Sequence, residues 1–549
     1  MPRYLFGPVT PAFARDKLAL PRAAGDCLAF DPTGETDLRF GAGDSWAAVA
    51  ARFPPGWEPD FIALWAAYAV VPAGVWDAPV PVVLLAGDWN LLWHQYRELA
   101  PRCERVLADA AGVEAFAAAG PTPAHQALLY GGGLADLDPA PAGPRDIDIL
   151  FVGNLNPAVQ VERMPWLGRL ARLPGRRVVI RTGVYGAEYR ALLRRTRIVF
   201  NRSVRGECNQ RVFEAAGAGA LVFQEADNRE VPAVFADGRE CVSYTDATLE
   251  SRLDHHLDRE PERAAVAAAA RAKADEFRCD RLLPMAFDRL DLAALRARRA
   301  DRPPPPDAVA RGAELLSQPP ARWADPALTA PLRMTPPAPQ TDYLLGLVSA
   351  PAEAVGLFAR ARAADPGWMP AALALAEATA ATGPVADAAT VARAALDGLD
   401  AGGAGRTGLA HAAGSYPPRF DEFRVEWERA GWANAGDPAA EGRAKQALLR
   451  WRLHDRLAAW TGDPGHAEAA LAARPDSPTA HAQLGALLLR AGRAAAAVPH
   501  LRRAAEADPF NPELAGHLAD ALARSGDEPA AAAIRAAWAR TAESAPHLA

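Results

Sequence analysis

Cysteine is scarce in this chain and follows no pattern. Its 549 residues hold five, Cys27, Cys103, Cys208, Cys241 and Cys279, with no C-x-x-C spacing among them. That distribution argues against a disulfide framework or a zinc site and points to a reducing, cytoplasmic setting. Positive charge is not in excess either. Lys and Arg number 60 against 66 Asp and Glu, a formal net charge of −6, which gives no electrostatic case for nucleic acid as a partner. Long apolar runs are missing as well. The N-terminal MPRYLFGPVTPAFARDK has no uninterrupted apolar segment of the secretory kind. The most apolar stretch, Phe61 to Trp76, is interrupted by Pro72 and Gly74 and followed by Asp77. It is shorter than the roughly 20 residues of a spanning helix, so it reads as a buried strand and helix and no transmembrane segment is expected.

What is present suits several cores, because a chain of this length suggests about three or four domains. Short apolar runs recur at Tyr4–Phe6, Asp60–Leu64, Val80–Leu85, Arg105–Leu107 and Ala127–Tyr130, with helix-like stretches such as Trp93–Leu99 and Val113–Ala119 between them. Continuous apolar strands alternating with helices predict a parallel sheet covered on both faces. Asp136 to Arg145 is a Pro/Gly-rich linker. A second alternating series follows, with strands at Ile147–Val152, Arg177–Arg181 and Glu240–Tyr244, helices at Val161–Leu173 and Glu188–Arg195, and two more helices from Thr248. Between Ala300 and Thr341 proline is dense, which predicts an extended, polyproline-like linker. Beyond it alanine-rich helices repeat. Leu484, Gly485, Leu488, Ala497, Leu501 and Ala504 fall on tetratricopeptide positions, and Leu518, Ala519, Leu522 and Ala531 take them again after a period of about 34 residues. A weaker pair covers Asp342–Pro366 and Met369–Asp397, and the less regular Gly398–Trp460 between them carries Phe420, Phe423, Trp427, Trp432 and Trp451 as core fillers.

The second series is organised around Arg197–Glu225, RIVFNRSVRGECNQRVFEAAGAGALVFQE. It reads as strand, polar loop, short helix, strand. Such a unit sets a loop and a helix start at the carboxyl edge of a parallel sheet, where ligands bind and free N–H groups favour phosphate. Glu207 and Glu214 bring two carboxylates there; Arg202, Arg205 and Arg211 bring three guanidiniums, suited to a diphosphate, while a carboxylate can accept both hydrogen bonds of a ribose diol.

Asn201, Ser203, Gly206, Arg211, Phe213, Glu214, Ala215 and Gly219 resemble the N-x-S, G-x-x-x-x-R-x-F-E-A-x-A-x-G pattern of group 1 glycosyltransferases, most closely the CgeB-like (spore maturation protein B-like) branch. The resemblance covers roughly residues 140–290 well and the first 135 more loosely. It implies an α/β chain of GT-B fold, two Rossmann-like domains facing each other with the donor held mostly by the second, joined here to an all-α, tetratricopeptide-like C-terminal region. The corresponding divisions are 1–135 for the acceptor-side domain, 136–146 for a linker, 147–298 for the nucleotide-sugar domain, 299–341 for the proline-rich linker and 342–549 for the helical repeats. The terminal tract Cys279–Arg298 is placed across the first domain, as in other GT-B proteins. One departure stands out. The broader group spaces its glutamates as Glu-x7-Glu, whereas Glu207 and Glu214 enclose six residues.

Each candidate has a structural alternative. Glu214 in a first helical turn satisfies the helix dipole, and Asn209 is an ordinary N-cap; by resemblance Glu214 holds the ribose hydroxyls. Arg211 either meets the diphosphate or pairs with Glu214 or Glu207 across a turn. Gly153 and Asn154 follow a strand as a loop near a phosphate would, or as any tight turn does; Gly7, where the first strand runs into its loop, is a further substrate-side candidate. Arg181 ends its strand at the same edge, and Arg202 and Arg205 either face the donor or are solvated. Asp88 and His94 are candidates for the acceptor side, where a base takes the hydroxyl proton, with Glu207 as a third catalytic candidate. The D-x-D strings Asp136–Asp138 and Asp146–Asp148 read as accidents of a linker and a strand start, so no metal or other cofactor is expected. The whole implies a nucleoside-diphosphate-sugar transferase, metal-independent and retaining by resemblance, with a protein or peptide partner on the repeats. Two competing readings are a scaffold whose GT-B portion has lost catalysis or only senses a nucleotide-sugar, favoured by the altered glutamate spacing, and a transferase that glycosylates protein.

Overall fold

The computed structural model describes residues 2–137, 143–299, 326–400 and 421–545. The first lobe is a seven-stranded parallel sheet built from β1 (Tyr4–Gly7), β2 (Cys27–Asp31), β3 (Leu38–Arg39), β4 (Phe61–Trp65), β5 (Val82–Leu85), β6 (Arg105–Ala108) and β7 (Ala124–Gln126), in the order β3-β2-β1-β4-β5-β6-β7. Its central strands are buried on both faces, as their unbroken apolar composition requires. Helices and loops cover them, including Trp93–Leu99 and Ala110–Ala119, the latter N-capped by Asp109, whose carboxylate accepts from the Gly112 N–H at 2.6 Å. β4 and the helix Gly74–Asp77 take up the apolar Phe61–Trp76 stretch as expected, and no described helix is long and apolar enough to cross a membrane.

The last strand differs from expectation. β7 is Ala124–Gln126, not Ala127–Tyr130. An edge strand does not need two apolar faces. The apolar residues after it leave the sheet, and Leu129 joins the core around Cys279 while Tyr130 lies edge-on to Trp65 at 5.9 Å.

The second lobe is a five-stranded parallel sheet of β8 (Ile147–Val152), β9 (Val178–Arg181), β10 (Thr196–Phe200), β11 (Leu221–Glu225) and β12 (Val242–Tyr244), ordered β12-β11-β10-β8-β9. Both orders are those of doubly wound, Rossmann-like sheets, with a switch point between β1 and β4 in the first and between β8 and β10 in the second. The helices Cys279–Phe287 and Leu292–Arg299 cross back to the first lobe, where the Phe287 ring meets Tyr4 at 4.9 Å and Phe61 at 5.2 Å and Arg299 donates to the Ala78 carbonyl. Two Rossmann-like lobes thus face each other across a cleft, the GT-B arrangement.

Everything described beyond residue 325 is helical or connects helices. Pro326–Arg333 and Pro339–Val348 are helices, so the extended linker expected as far as Thr341 does not run that far; proline sits at their first turns, where its missing N–H costs nothing. Residues 300–325 lie outside the described residues, as do Asp138 and Phe420. Helical hairpins follow at Pro339–Val348 with Pro351–Ala364, and at Met369–Thr382 with Val385–Asp400. The stretch read as less regular holds two helices, Glu422–Ala433 and the 24-residue Pro438–Thr461, whose Phe423, Trp427 and Trp451 fill a core. Pro464–Ala473, Pro478–Arg490, Ala494–Ala507, Pro512–Arg524 and Glu528–Ser544 complete the array. Gly485 permits the close packing of one pair, since a Cβ there would lie 2.6 Å from Leu501.

The array rests on both lobes. Its helix Glu422–Ala433 lies on Trp93–Leu99, with Gly431 so close that a Cβ would fall 2.6 Å from the Trp93 ring, and Trp432 packs edge-on against Trp89 at 5.5 Å. Farther along, the Ala494–Ala507 and Glu528–Ser544 helices lie on Met164–Ala171 of the second lobe, where a Cβ on Gly168 would come within 2.7 Å of Pro509. Phe510 enters the second lobe's core.

Candidate functional site

Between the carboxyl edges of the two sheets lies a cavity of about 1050 Å³. On its second-lobe wall, β10 ends and the chain passes through a polar loop into the helix Gln210–Gly217. Asn209 occupies the N-cap in extended conformation but makes no side-chain cap, and its Oδ1 is buried without a hydrogen-bond partner. Polar groups so placed are costly unless something else satisfies them, and an uncapped helix start at a switch point favours an anion. One turn on, Glu214 accepts from Gln210 Nε2 at 2.7 Å and shares a hydrogen bond with Tyr189. Burial, with Asp136 adding to it, pushes the Glu214 carboxyl above its usual range.

Arg211 is committed to the frame of this wall. Its Nε and Nη2 donate to the Val152 carbonyl at 3.0 and 2.9 Å, Nη1 donates to Asn201 Oδ1 at 2.6 Å, and the guanidinium lies over Phe151 at 4.4 Å. It therefore joins the ends of β8 and β10, the switch point itself, in place of the ion pair with Glu207 or Glu214 that spacing allowed. Gly153 makes room for it, because a Cβ would fall 2.5 Å from Arg211 Nη2. Asn154 is exposed at the rim and caps its own turn, accepting from the Asn156 N–H at 2.9 Å.

The loop before the helix reaches the opposite lobe. Arg205 donates to Asp109 Oδ2 at 3.2 Å and lies over the Trp89 ring at 5.1 Å, both in the first lobe. Burial alone would lower its pKa; Glu207, Asp109 and Asp88 outweigh that and hold it above the ordinary value. Glu207 accepts from the Val204 N–H at 3.1 Å, while its Oε2 is buried with no hydrogen-bond partner and has Arg205 Nη2 3.9 Å away. Burial pushes the Glu207 carboxyl up to about 7 despite that guanidinium. On the first-lobe wall Asp88 follows β5, hydrogen-bonded to Tyr68 and to Tyr130, whose hydroxyl donates at 3.4 Å. Burial also raises Asp88.

The cavity thus gathers Asp88, Glu207, Gly153, Asn154, Arg205, Asn209, Arg211 and Glu214. Four candidates stand elsewhere. His94 is fully buried against the helical array: its Nδ1 lies 2.7 Å from Glu428 Oε2, and Lys445 Nζ donates to its Nε2 at 2.8 Å. Arg181 turns toward Glu188, 3.7 Å away; Arg202 pairs with Asp227 at 3.0 Å and stacks on Trp166. Gly7 ends β1 because a Cβ there would lie 2.5 Å from the Phe30 carbonyl oxygen, a close approach within the sheet and not at the cavity.

Three participants escaped the sequence. Asp109, the N-cap of Ala110–Ala119, belongs to no motif. Glu230 accepts from the Cys208 N–H at 2.9 Å, the Ala110 N–H at 3.0 Å and Gln126 at 3.2 Å, so it links the lobes across the cleft. Lys17 sits 3.6 Å from Asp136 and 3.4 Å from Asp16. Of the D-x-D strings, Asp136, read as an accident of a linker, instead sits in the short helical turn Leu134–Leu137 and lines the cavity beside Lys17, whereas Asp146 pairs with Arg177 and Arg195 and Asp148 with Arg197, away from it. Among the described residues no group of three or more His, Cys, Asp or Glu is disposed to hold a metal ion.

No curated protein matches this chain. Among solved structures, Anabaena HepE (Alr3699) in complex with UDP is 14% identical with a TM-score of 0.36, covering 52% of this chain and 100% of its own. The same protein in complex with UDP-glucose is 16% identical with a TM-score of 0.35, covering 55% and 99%. Residues 137–282, which supply the second-lobe wall of the cavity, match the family model described as glycosyl transferase-like.

Proposed function

We propose that the chain is a glycosyltransferase that moves a sugar from a nucleoside-diphosphate donor to an acceptor hydroxyl. The observation that carries this is the second-lobe wall: an uncapped helix start at a sheet's switch point, with Glu214 one turn behind it, within the segment that matches the glycosyl transferase-like model. In this reading the helix-start N–H groups receive the diphosphate and Glu214 receives the ribose hydroxyls. Asp88 faces them from the first lobe; the bond from the anomeric carbon to phosphate breaks first, the nucleoside diphosphate leaving with the electron pair, and the acceptor oxygen then adds to the same face of the oxocarbenium-like centre as its proton passes to Asp88. Metal independence and retention of configuration belong to the same proposal. The CgeB-like branch is its finer form, and the helical hairpins are read as tetratricopeptide-like repeats that bind a protein or peptide.

The test is release of nucleoside diphosphate from a panel of UDP-, GDP-, dTDP- and ADP-sugars in EDTA, beside Glu214→Ala. Release from one donor, reduced at least tenfold by the substitution and indifferent to EDTA, is the expected result. A protein that binds a nucleotide-sugar but releases nothing would favour the sensing scaffold. Besides the glutamate spacing, that second reading has a structural observation behind it: Arg202 and Arg211, two of the cations expected at the diphosphate, are engaged with protein groups.

A further inference from the structure

Among the described residues three that are not glycine have positive φ, Tyr68 at 53°, Asp88 at 49° and Arg205 at 69°. Side chains seldom accept that backbone, and it persists where surrounding structure imposes it. These three come from three separate loops, two in the first lobe and one in the second, and they meet at one place. Tyr68 hydrogen-bonds Asp88, and Arg205 crosses the cleft to donate to Asp109 at 3.2 Å, so that Asp88, Asp109 and Arg205 line one cavity.

The groups around Asp88 are few in kind. Tyr68 and Tyr130 hydrogen-bond it, Tyr96 lies close on the helix behind, and Asp109 adds a second negative charge. Arg205 offsets them at Asp88, and Arg424 of the helical array brings a second positive charge to Tyr68. A buried carboxylate with no counter-charge keeps its proton, and a protonated carboxyl cannot take another. Arg205 is itself steered there by Asp109 at 3.2 Å and by the Trp89 face at 5.1 Å.

We propose that Arg205 is a positioning residue contributed by one lobe to the other: resting on the transferase reading above, its guanidinium supplies the counter-charge that makes Asp88 competent to accept the acceptor's proton. The acceptor-side base is then complete only where the lobes meet. A lobe-to-lobe contact becomes a condition for proton transfer, and a donor bound with the lobes apart is protected from turnover.

The test is a cycle of Arg205→Gln, Asp88→Asn and the double variant in the full chain, with melting temperature read at pH 5.5 and pH 8. Arg205→Gln leaves a half-buried carboxylate without its counter-charge, so it is expected to lower the melting temperature more at pH 8 than at pH 5.5, by roughly 3 °C, and Asp88→Asn in the same chain is expected to remove that extra loss. Arg205→Gln/Glu207→Gln and Arg205→Gln/Asp109→Asn measure the shares of Glu207, 3.9 Å from the guanidinium, and of Asp109 separately. Additivity of the Arg205 and Asp88 substitutions at both pH values would overturn the proposal. If Arg205→Gln does not fold, recovery of folding in the double variant supports the pairing, and failure of the double variant beside a folded Arg205→Lys with the wild-type pH dependence overturns it. With UDP-glucose as the probe, the acid limb of nucleotide release is expected to move up by about one pH unit in Arg205→Gln and to stay in place in Arg205→Lys, with UDP affinity changed less than threefold in both. A loss of UDP affinity of thirtyfold or more would make Arg205 a donor contact and overturn the proposal. Absence of any release from wild-type protein would count against the transferase reading alone, because the melting cycle decides the Arg205–Asp88 coupling without turnover.

Discussion

At the scale of single residues, the cavity is dominated by the cost of keeping carboxyls out of water. Glu207 shows it most clearly. Its folded pKa of about 7 stands above the ordinary 4.5 because burial outweighs Arg205. Between those two values the native protein binds more protons than the unfolded chain, so this group's contribution to stability is full below about pH 4.5 and is lost as pH rises through 7. Glu207→Gln removes the penalty. Its melting temperature is expected to exceed that of wild type at pH 8, by the equivalent of up to about 3 kcal/mol, and to equal it near pH 4.5. Calorimetric scans at the two pH values check this; a gain of the same size at both would show that burial is not the cause. Sequence made Glu207, Glu214, Asp88 and Arg205 legible because each falls at a strand end or in a recognisable string. Asp109 and Glu230 were not legible, since their partners, Arg205 for one and Ala110 and Gln126 for the other, come from the opposite lobe. Pairing across a cleft leaves no periodicity in the chain.

At the scale of elements, the helix Trp93–Leu99 shows how a polar residue misleads. His94 follows a strand's carboxyl edge, which is where an acid or base belongs in such a fold, yet the helix turns it away from the cleft toward Glu422–Ala433 and Pro438–Thr461. There Glu428 accepts both from the His94 N–H at 3.0 Å and at its ring, and Lys445 bridges His94 to Glu441 at 2.7 Å. Burial lowers the Lys445 pKa to about 8, with Glu441 opposing that fall. The network lies between lobe and array and leaves little slack for the loss of one member. Glu428→Ala removes the acceptor that satisfies His94 twice and is expected to cost about 3 kcal/mol at pH 7, seen as a lower denaturant midpoint. A loss below about 1 kcal/mol would show that water substitutes there. Element existence was readable in most of both lobes from apolar runs and turns. The helices Glu422–Ala433 and Pro438–Thr461 were not, because their apolar faces meet partners on more than one side and lack a simple repeat.

At the scale of the whole molecule, the array is part of the frame that holds the cleft. It meets the first lobe through Gly431 and the second through Pro509, and at each joint a glycine, Gly431 or Gly168, lets the surfaces close. Gly431→Val and Gly168→Val each place atoms where Trp93 or Pro509 already is. Both are expected to lower nucleotide affinity and donor release severalfold, although neither position lines the cavity, and to enlarge the radius of gyration in small-angle scattering. Unchanged affinity and dimensions in both variants would mean that the array is carried passively. The fold class of the array was readable from its spacing of small and large residues; its seat on both lobes was not, because alanine-rich helices look alike whether they face solvent or a neighbour.

An array fixed at two points has a consequence for its own length. Repeat proteins lengthen and shorten easily when whole units are gained or lost at a free end, since each unit touches only its neighbours. Between Gly431 and Pro509 that freedom is gone: one unit more or fewer would carry the second joint to a new height and turn it about the stack, and the lobes would no longer meet. The number of helices in that interval is therefore held by the geometry of the cleft, while the helices ahead of Glu422 are free of that count.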